Sequence, residues 1–314
     1  MTQLNEGPAS APAWPGLPAM PARVRIREVG PRDGLQPEEP VGVGPRAALV
    51  ERLVAAGVTM VEAVAFVSPK AVPAMAGAAA VMARLQRMPG VHYGALVPNV
   101  RGAELAVAAG VDGLSLTVSA SEGYSQRNVR MSVAESMAQV AAVRAAVGEE
   151  LPLDVVLSCA FGSPYEGDIA PSTVAGLGAQ ALAEGATSVT YADTTGMGTP
   201  RRVAELVALT GPNIGLHLHD TRGTALVNAY AALQLGVARF DTAIGGLGGS
   251  PFASGAGGNL ATEDLVHLCD DLGIDTGIDL ALLLGASARV ARLVGRAVPS
   301  RVAAAGPRAR LQRG

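Results

Sequence analysis

In 216-LHLHD-220 two imidazoles alternate with two leucines. Along a β-strand successive side chains point to opposite faces, so His217 and His219 share one face and the leucines share the other. Two imidazoles turned into an apolar interior need partners, and a divalent cation is one such partner. Hydrogen-bonded core histidines are the alternative that these five residues leave open. Other segments carry groups that suit the same chemistry. In 32-RDG-34 a hard carboxylate, Asp33, stands beside the guanidinium of Arg32, although the tripeptide alone also reads as a solvated turn. Asp193, in 191-YADTTGMG-198, is either a loop-initiating residue or a carboxylate aimed at a site. The loop 245-GGLGGSPFASGAGGN-259 has seven glycines in fifteen residues and could approach a ligand, close over one, or merely link two elements. Asn259 at its end could cap the next helix or offer an amide oxygen to a cation. Glu62 interrupts the apolar run VTMVEAVAF; a buried carboxylate there needs a partner, and an Arg at the site would serve. Together these describe an Asp oxygen, two imidazoles and an Asn oxygen around one cation, with Arg32 as a cationic clamp beside it. Mixed oxygen and nitrogen donors without a thiolate suit Mg2+ or Mn2+ rather than a structural zinc.

Elements must hold these groups together. β-Rich runs occur at 24-VRIREV, 58-VTMVEAVAF, 92-HYGALVP, 113-GLSLTVSA, 153-LDVVLSCAF, 187-TSVTYADT, 214-IGLHLHD and 239-RFDTAIGG. Between them lie Ala/Leu-rich runs of helical length such as 46-RAALVERLVAAG, 132-SVAESMAQVAAVRAAVG and 223-GTALVNAYAALQLG. Several units share a joint in which a helix ends on Gly and a strand follows at once: 55-AAGVTMVE, 108-AAGVDGLSL, 183-AEGATSVTYAD and 235-LGVARFDTA. Eight strands alternating with helices predict a (β/α)8 barrel, whose typical length is about 250 residues. An open doubly wound sheet would carry a GxGxxG or P-loop turn after its first strand, and the first run here leads into GPRDGLQPEEP instead. In a barrel, catalytic groups belong at the C-terminal ends of strands. Arg32 and Asp33 follow the first strand, Asp193 the sixth, the histidines end the seventh, and the glycine-rich loop follows the eighth.

Composition narrows the function. Hydrophobic residues are 49 %, charged ones 16 % and aromatics 3 %, and the net charge is −3, which argues against a disordered, nucleic-acid-binding or membrane-surface protein. No run reaches the roughly 18 unbroken apolar residues of a membrane span. The two cysteines, Cys159 and Cys269, form no metal-ligand spacing and point to a reducing compartment. The expected organisation is a flexible Pro/Ala-rich leader over 1–22, a barrel over 23–296 with a short C-terminal helical extension, and a basic tail over 297–314, in a cytoplasmic protein.

EVGPRDGLQ, FVSPKAVPAM, SCAFGSPYEG, DTTGMGTP, HLHDTRGTALVNAYAALQLG and GGLGGSPFASGAGGNLATEDLV, in this order, resemble segments of the 3-hydroxy-3-methylglutaryl-CoA lyases, metal-dependent (β/α)8 enzymes. The resemblance implies Asp33, His217, His219 and Asn259 as ligands of Mg2+ or Mn2+, and Arg32, held by Glu62, as the group that meets the enolate oxygen of departing acetyl-CoA. It implies catalytic parts for Asp193 and His217, an acyl-CoA substrate and a homodimer. Two departures stand out. Ser250, in 248-GGSP-251, occupies the place of the family's usual catalytic Cys, and a hydroxyl is a far weaker acid than a thiol. In 62-EAVAF-66 the hydroxyl residues common after the Glu are missing, so a relative such as citramalyl-CoA is an alternative substrate. A Claisen synthase of the same superfamily is a further alternative, and those usually carry extra C-terminal modules.

Overall fold

A computed structural model describes residues 20–249 and 257–308. The eight runs read as strands are strands: β1 Arg25–Glu28, β2 Met60–Ala65, β3 His92–Val97, β4 Gly113–Ser119, β5 Leu153–Ser158, β6 Ser188–Ala192, β7 Gly215–His217 and β8 Arg239–Thr242. They close in sequence order into a parallel barrel, with β8 paired back to β1. The helices run outside: α1 Val43–Ala55, α2 Ala78–Arg84, α3 Val100–Ala108, α4 Glu122–Asn128, α5 Val133–Val147, α6 Pro171–Ala183, α7 Pro200–Thr210, α8 Ala225–Gln234, α9 Thr262–Leu272, α10 Leu280–Val294 and α11 Arg301–Ala305. No helix among the described residues is long and apolar enough to cross a membrane.

The glycines of the four repeated joints, Gly57, Gly110, Gly185 and Gly236, all have positive φ. A side chain is strained in that conformation, and at Gly57 a β-carbon would also lie 2.2 Å from the Gly277 carbonyl. These joints turn each helix directly back into the next strand.

The apolar core lies between strands and helices. Alternate residues of the strands, such as Leu114, Leu116, Val155, Leu157, Leu216 and Phe240, pack against Leu49, Leu53, Val140, Val143, Val203, Leu206 and Leu265 of the helices. The other alternation lines the lumen with small and polar groups. Arg27, Ser115, Asp154, Thr190 and Asp241 line a cavity of about 880 Å³ that reaches the N-terminal rim, with Gly94, Gly113 and Gly215 leaving room where side chains would otherwise fill it.

At the C-terminus the stretch 297–314, expected to be a basic tail, contains a docked helix. Ser300 donates to Asp264 Oδ1 at 2.8 Å and caps α11, whose Val302 N–H donates to the same oxygen at 2.9 Å. At the other end Ala22 accepts a backbone bond from Asp275, which also accepts from Val24, so the chain is tied down from just before β1.

Candidate active site

The turn Gly30–Gly34 follows β1 directly. The Val29 carbonyl accepts N–H bonds from Arg32, Asp33 and Gly34, which winds the chain so tightly that Arg32 and Asp33 both face the lumen mouth. Beneath them the buried Glu28 joins two loops. Its Oε1 accepts from Gly30 N–H and Ile244 N–H, each at 2.8 Å, and its Oε2 accepts from the Thr262 hydroxyl at 2.5 Å. This carboxyl ties the turn after β1 to the loop after β8, and burial pushes it up to about 7.

Arg32 is 7 % exposed and Glu62 1 %. The Arg32 Nε–H donates to Glu62 Oε2, and its Nη1 donates to Asp33 Oδ1 at 2.5 Å. The partner expected for Glu62 is thus the arginine of the turn. Burial works against the Arg32 charge, but Glu62 and Asp33 outweigh it and raise the guanidinium further. Burial also works against the Asp33 carboxylate. Arg32, then the histidines, then the Asn259 amide overcome it and hold Asp33 down to about 2.

β7 ends at His217, and His219 lies just beyond it in an isolated bridge to Asn259. The expected alternation holds: Leu216 and Leu218 are buried in the core, while the two Nε2 atoms of the imidazoles lie 3.1 Å apart. His217 Nε2 is 3.9 Å from Asp33 Oδ2, and Asp33, His217 and His219 present three ligand atoms within 4.8 Å of one another. Asn259 borders this group. Its Nδ2 donates to Asp33 Oδ2 and to the Leu247 carbonyl, both at 2.8 Å, while its buried Oδ1 has no hydrogen-bond partner among the described residues. It does not cap α9, which starts at Thr262 with Ala261 in the cap position. Gly248 makes this convergence feasible: a β-carbon there would sit 2.3 Å from Asn259 Nδ2 and 3.2 Å from Asp33 Oδ2.

These donors fit a divalent cation. Two imidazole nitrogens facing each other at 3.1 Å need a proton or a cation between them, and Asn259 Oδ1 is a buried oxygen without a donor among the described residues. His219 is held down to about 4 by burial and the neighbouring His217, so near neutral pH its lone pair is free. Neither thiol can join. Cys159 and Cys269 are buried, and burial pushes both up to about 12.

Asp193 follows β6 as expected. Its N–H donates to the His217 carbonyl at 2.8 Å, which places it on the strand beside the histidines. Its Oδ1 accepts from Met197 N–H at 2.7 Å and Gly198 N–H at 3.0 Å, while Oδ2 has no partner among the described residues. Burial outweighs those bonds and the nearby Arg222 and His217, raising the carboxyl to about 6. Arg222 bonds the Thr195 and Gly196 carbonyls and so pins the loop after β6 to the one after β7. Ser250 lies outside the described residues. Ala63, Val64 and Ala65, where hydroxyls are missing, are packed in the apolar core.

Sequence reasoning missed Glu28 and Asp241. Asp241 Oδ2 lies 3.2 Å from His217 Nδ1, and Arg27 grips the same carboxylate. Each sits in a four-residue strand, RIRE or RFDT, that lacks the long apolar run which singled out Glu62.

Comparison with known proteins agrees with this geometry. The HMGL-like family model matches residues 23–290. The 3-hydroxy-3-isohexenylglutaryl-CoA/hydroxy-methylglutaryl-CoA lyase of Pseudomonas aeruginosa is 43 % identical over 293 residues, 91 % of this chain and 98 % of that one. The mitochondrial hydroxymethylglutaryl-CoA lyase of Homo sapiens is 40 % identical over 293 residues, 91 % of this chain and 90 % of that one. An HMG-CoA lyase from Acinetobacter baumannii, solved with coenzyme A and 3-methylmalate, superposes with a TM-score of 0.88 at 39 % identity, covering 91 % of this chain and 96 % of that one. The chain belongs to the HMGL-like family.

Proposed function

We propose that the chain is a divalent-metal-dependent carbon–carbon lyase that cleaves 3-hydroxy-3-methylglutaryl-CoA to acetyl-CoA and a keto acid. The observation that carries this reading is the convergence of Asp33, His217, His219 and Asn259 beside the buried guanidinium of Arg32. Hard oxygen and imidazole donors without a thiolate favour Mg2+ or Mn2+. A divalent cation held there would polarise the tertiary hydroxyl of the substrate and lower its pKa.

The side chains account for the remaining demands of the reaction. Asp193 has a carboxylate oxygen with no partner among the described residues and a pKa raised to about 6, so near neutral pH it is ionised yet basic enough to accept the hydroxyl proton. As the alkoxide collapses to a ketone, the C2–C3 electron pair passes to the thioester and leaves an enolate. Arg32, fixed by Glu62 and Asp33, is a preorganised cation for that enolate oxygen and needs little reorganisation. The enolate carbon must then take a proton. We assign Ser250 to holding the water or substrate for this step rather than donating as an acid, because an unactivated hydroxyl is too weak.

The relatives named as lyases cover about nine-tenths of the chain, which favours this reading over citramalyl-CoA cleavage and over a condensing synthase. With it go a cytoplasmic location, consistent with two buried free thiols, and a homodimer, which sedimentation of the purified chain would test. The substrate is tested by acetyl-CoA release from 3-hydroxy-3-methylglutaryl-CoA, its 3-isohexenyl analogue and citramalyl-CoA. Fastest turnover of the first is expected, and no cleavage of any would overturn the proposal.

A further inference from the structure

His217, Asp241 and Arg27 occupy one row across three adjacent strands. In the barrel register His217 of β7 pairs with Asp241 of β8, and Asp241 pairs with Arg27 of β1. All three side chains point into the lumen, and each touches the next. Arg27 Nε donates to Asp241 Oδ1 and Arg27 Nη2 to Asp241 Oδ2, both at 2.7 Å, a two-pronged grip on the carboxylate. The same Oδ2 stands 3.2 Å from His217 Nδ1. Arg27 is itself fixed from the far side of the lumen by Asp154 Oδ2 at 2.9 Å and Ser115 Oγ at 3.0 Å, and Asp154 by Thr190 at 2.8 Å.

We propose that Asp241 is a positioning residue for the metal centre: it fixes the His217 tautomer that leaves Nε2 bare and aimed at the Asp33 and His219 donors. This role depends on His217 being a metal ligand, as proposed above. A carboxylate clamped at both oxygens by a guanidinium is an acceptor only, so the His217 nitrogen facing it must carry the proton. Neutral imidazole has one N–H, and placing it on Nδ1 leaves the lone pair on Nε2. Without Asp241 nothing in the row selects that tautomer, and the ring is free to turn or to protonate Nε2. The negative charge on Asp241 also makes the imidazole a stronger donor to a cation, as carboxylates behind metal-bound histidines do. Arg27 is not idle in this arrangement. It balances the carboxylate and prevents Asp241 from swinging toward the cation as a ligand itself.

A purely structural ion pair between Arg27 and Asp241 would contribute to stability and nothing to metal affinity. The two roles separate in one set of measurements on the full chain. Calorimetric Mn2+ binding is measured for wild type, Asp241→Asn and Asp241→Ala, alongside nitrogen-15 NMR of the imidazoles in mildly alkaline, metal-free buffer. The chain has four histidines, which makes the ring signals assignable. Wild-type His217 is expected to show a protonated Nδ1 and a bare Nε2. Asp241→Ala is expected to mix the tautomers and raise the Mn2+ Kd by about ten- to a hundredfold. Asp241→Asn keeps the shape of the side chain, and its affinity must fall too if the alanine variant does not fold. Wild-type affinity in a folded Asp241 variant, with the His217 tautomer unchanged, would overturn this inference alone. Failure of wild type to bind Mn2+ would overturn the metal reading, and this inference with it.

Discussion

His217 Nε2 and His219 Nε2 face each other across 3.1 Å, with the Asp33 carboxylate beside them. Protons and a cation therefore compete for the same atoms. His219 is held to about 4, whereas the Asp241 hydrogen bond and the Asp33 charge outweigh burial and raise His217 above its ordinary value. Asp33 stays ionised down to about 2 and adds nothing to the competition above that. Mn2+ affinity should thus weaken as pH falls through the range where His217 protonates. A calorimetric titration over a pH series checks this, and an affinity independent of pH would contradict it.

Arg32 should act on turnover rather than on metal binding. Replacing Arg32 with Gln removes the cation facing the developing enolate, and loss of one such donor typically costs about a hundred- to a thousandfold in kcat. Glu62→Gln leaves the guanidinium in place but weakens the bond that orients it, so a smaller fall in kcat with a nearly unchanged KM is expected. Steady-state kinetics of both variants separate the effects. Equal falls in the two would mean that Glu62 does more than orient.

Asp193 should set the acid side of the rate profile. Burial raises its carboxyl to about 6, and only the ionised form accepts a proton, so kcat should fall as pH drops below about 6. At saturating Mg2+, where proton competition at His217 does not limit the rate, Asp193→Asn should lose about a hundred- to ten-thousandfold in kcat and the acid limb with it. Persistence of that limb in the variant would assign the base elsewhere.

Glu28 makes a prediction about stability. Its carboxyl is raised from 4.5 to about 7 by burial, so the folded state binds this proton more tightly than the unfolded chain. Its contribution is then full below pH 4.5 and lost as pH rises toward about 7. Glu28→Gln keeps the acceptor for Gly30 and Ile244 but cannot ionise. Unfolding across this pH range should lose part of its slope in the variant. It should not lose all of it, because the buried Glu263, which accepts the Gly245 N–H, is also raised to about 7. Identical slopes for wild type and variant would contradict this account.

The barrel was legible because its physics is local. Period-two apolar runs mark strands, and the glycines ending each helix in the repeated joints are the ones that adopt positive φ. Asp33, His217 and Asp193 were legible because barrel topology sends the ends of all strands to one mouth. Arg27 and Asp241 were not, because charged residues in four-residue strands look like solvated edges until the register sets them opposite each other. The role of Asn259 stayed open in sequence because a glycine-rich loop has no periodicity to say where the next helix begins. The helix after Ser300 was missed because five residues are too few to show a period. Ser250 lies outside the described residues, and its part rests on the sequence resemblance alone.

The central claim is that one divalent cation, held by Asp33, His217, His219 and Asn259, is required for carbon–carbon cleavage. Acetyl-CoA release from 3-hydroxy-3-methylglutaryl-CoA, followed with Mg2+, after EDTA, and after Mg2+ is restored, tests it most directly. The account predicts cleavage with the cation, none after chelation, and recovery on its return. Equal acetyl-CoA release in the presence of EDTA, or none under any of the three conditions, would contradict it.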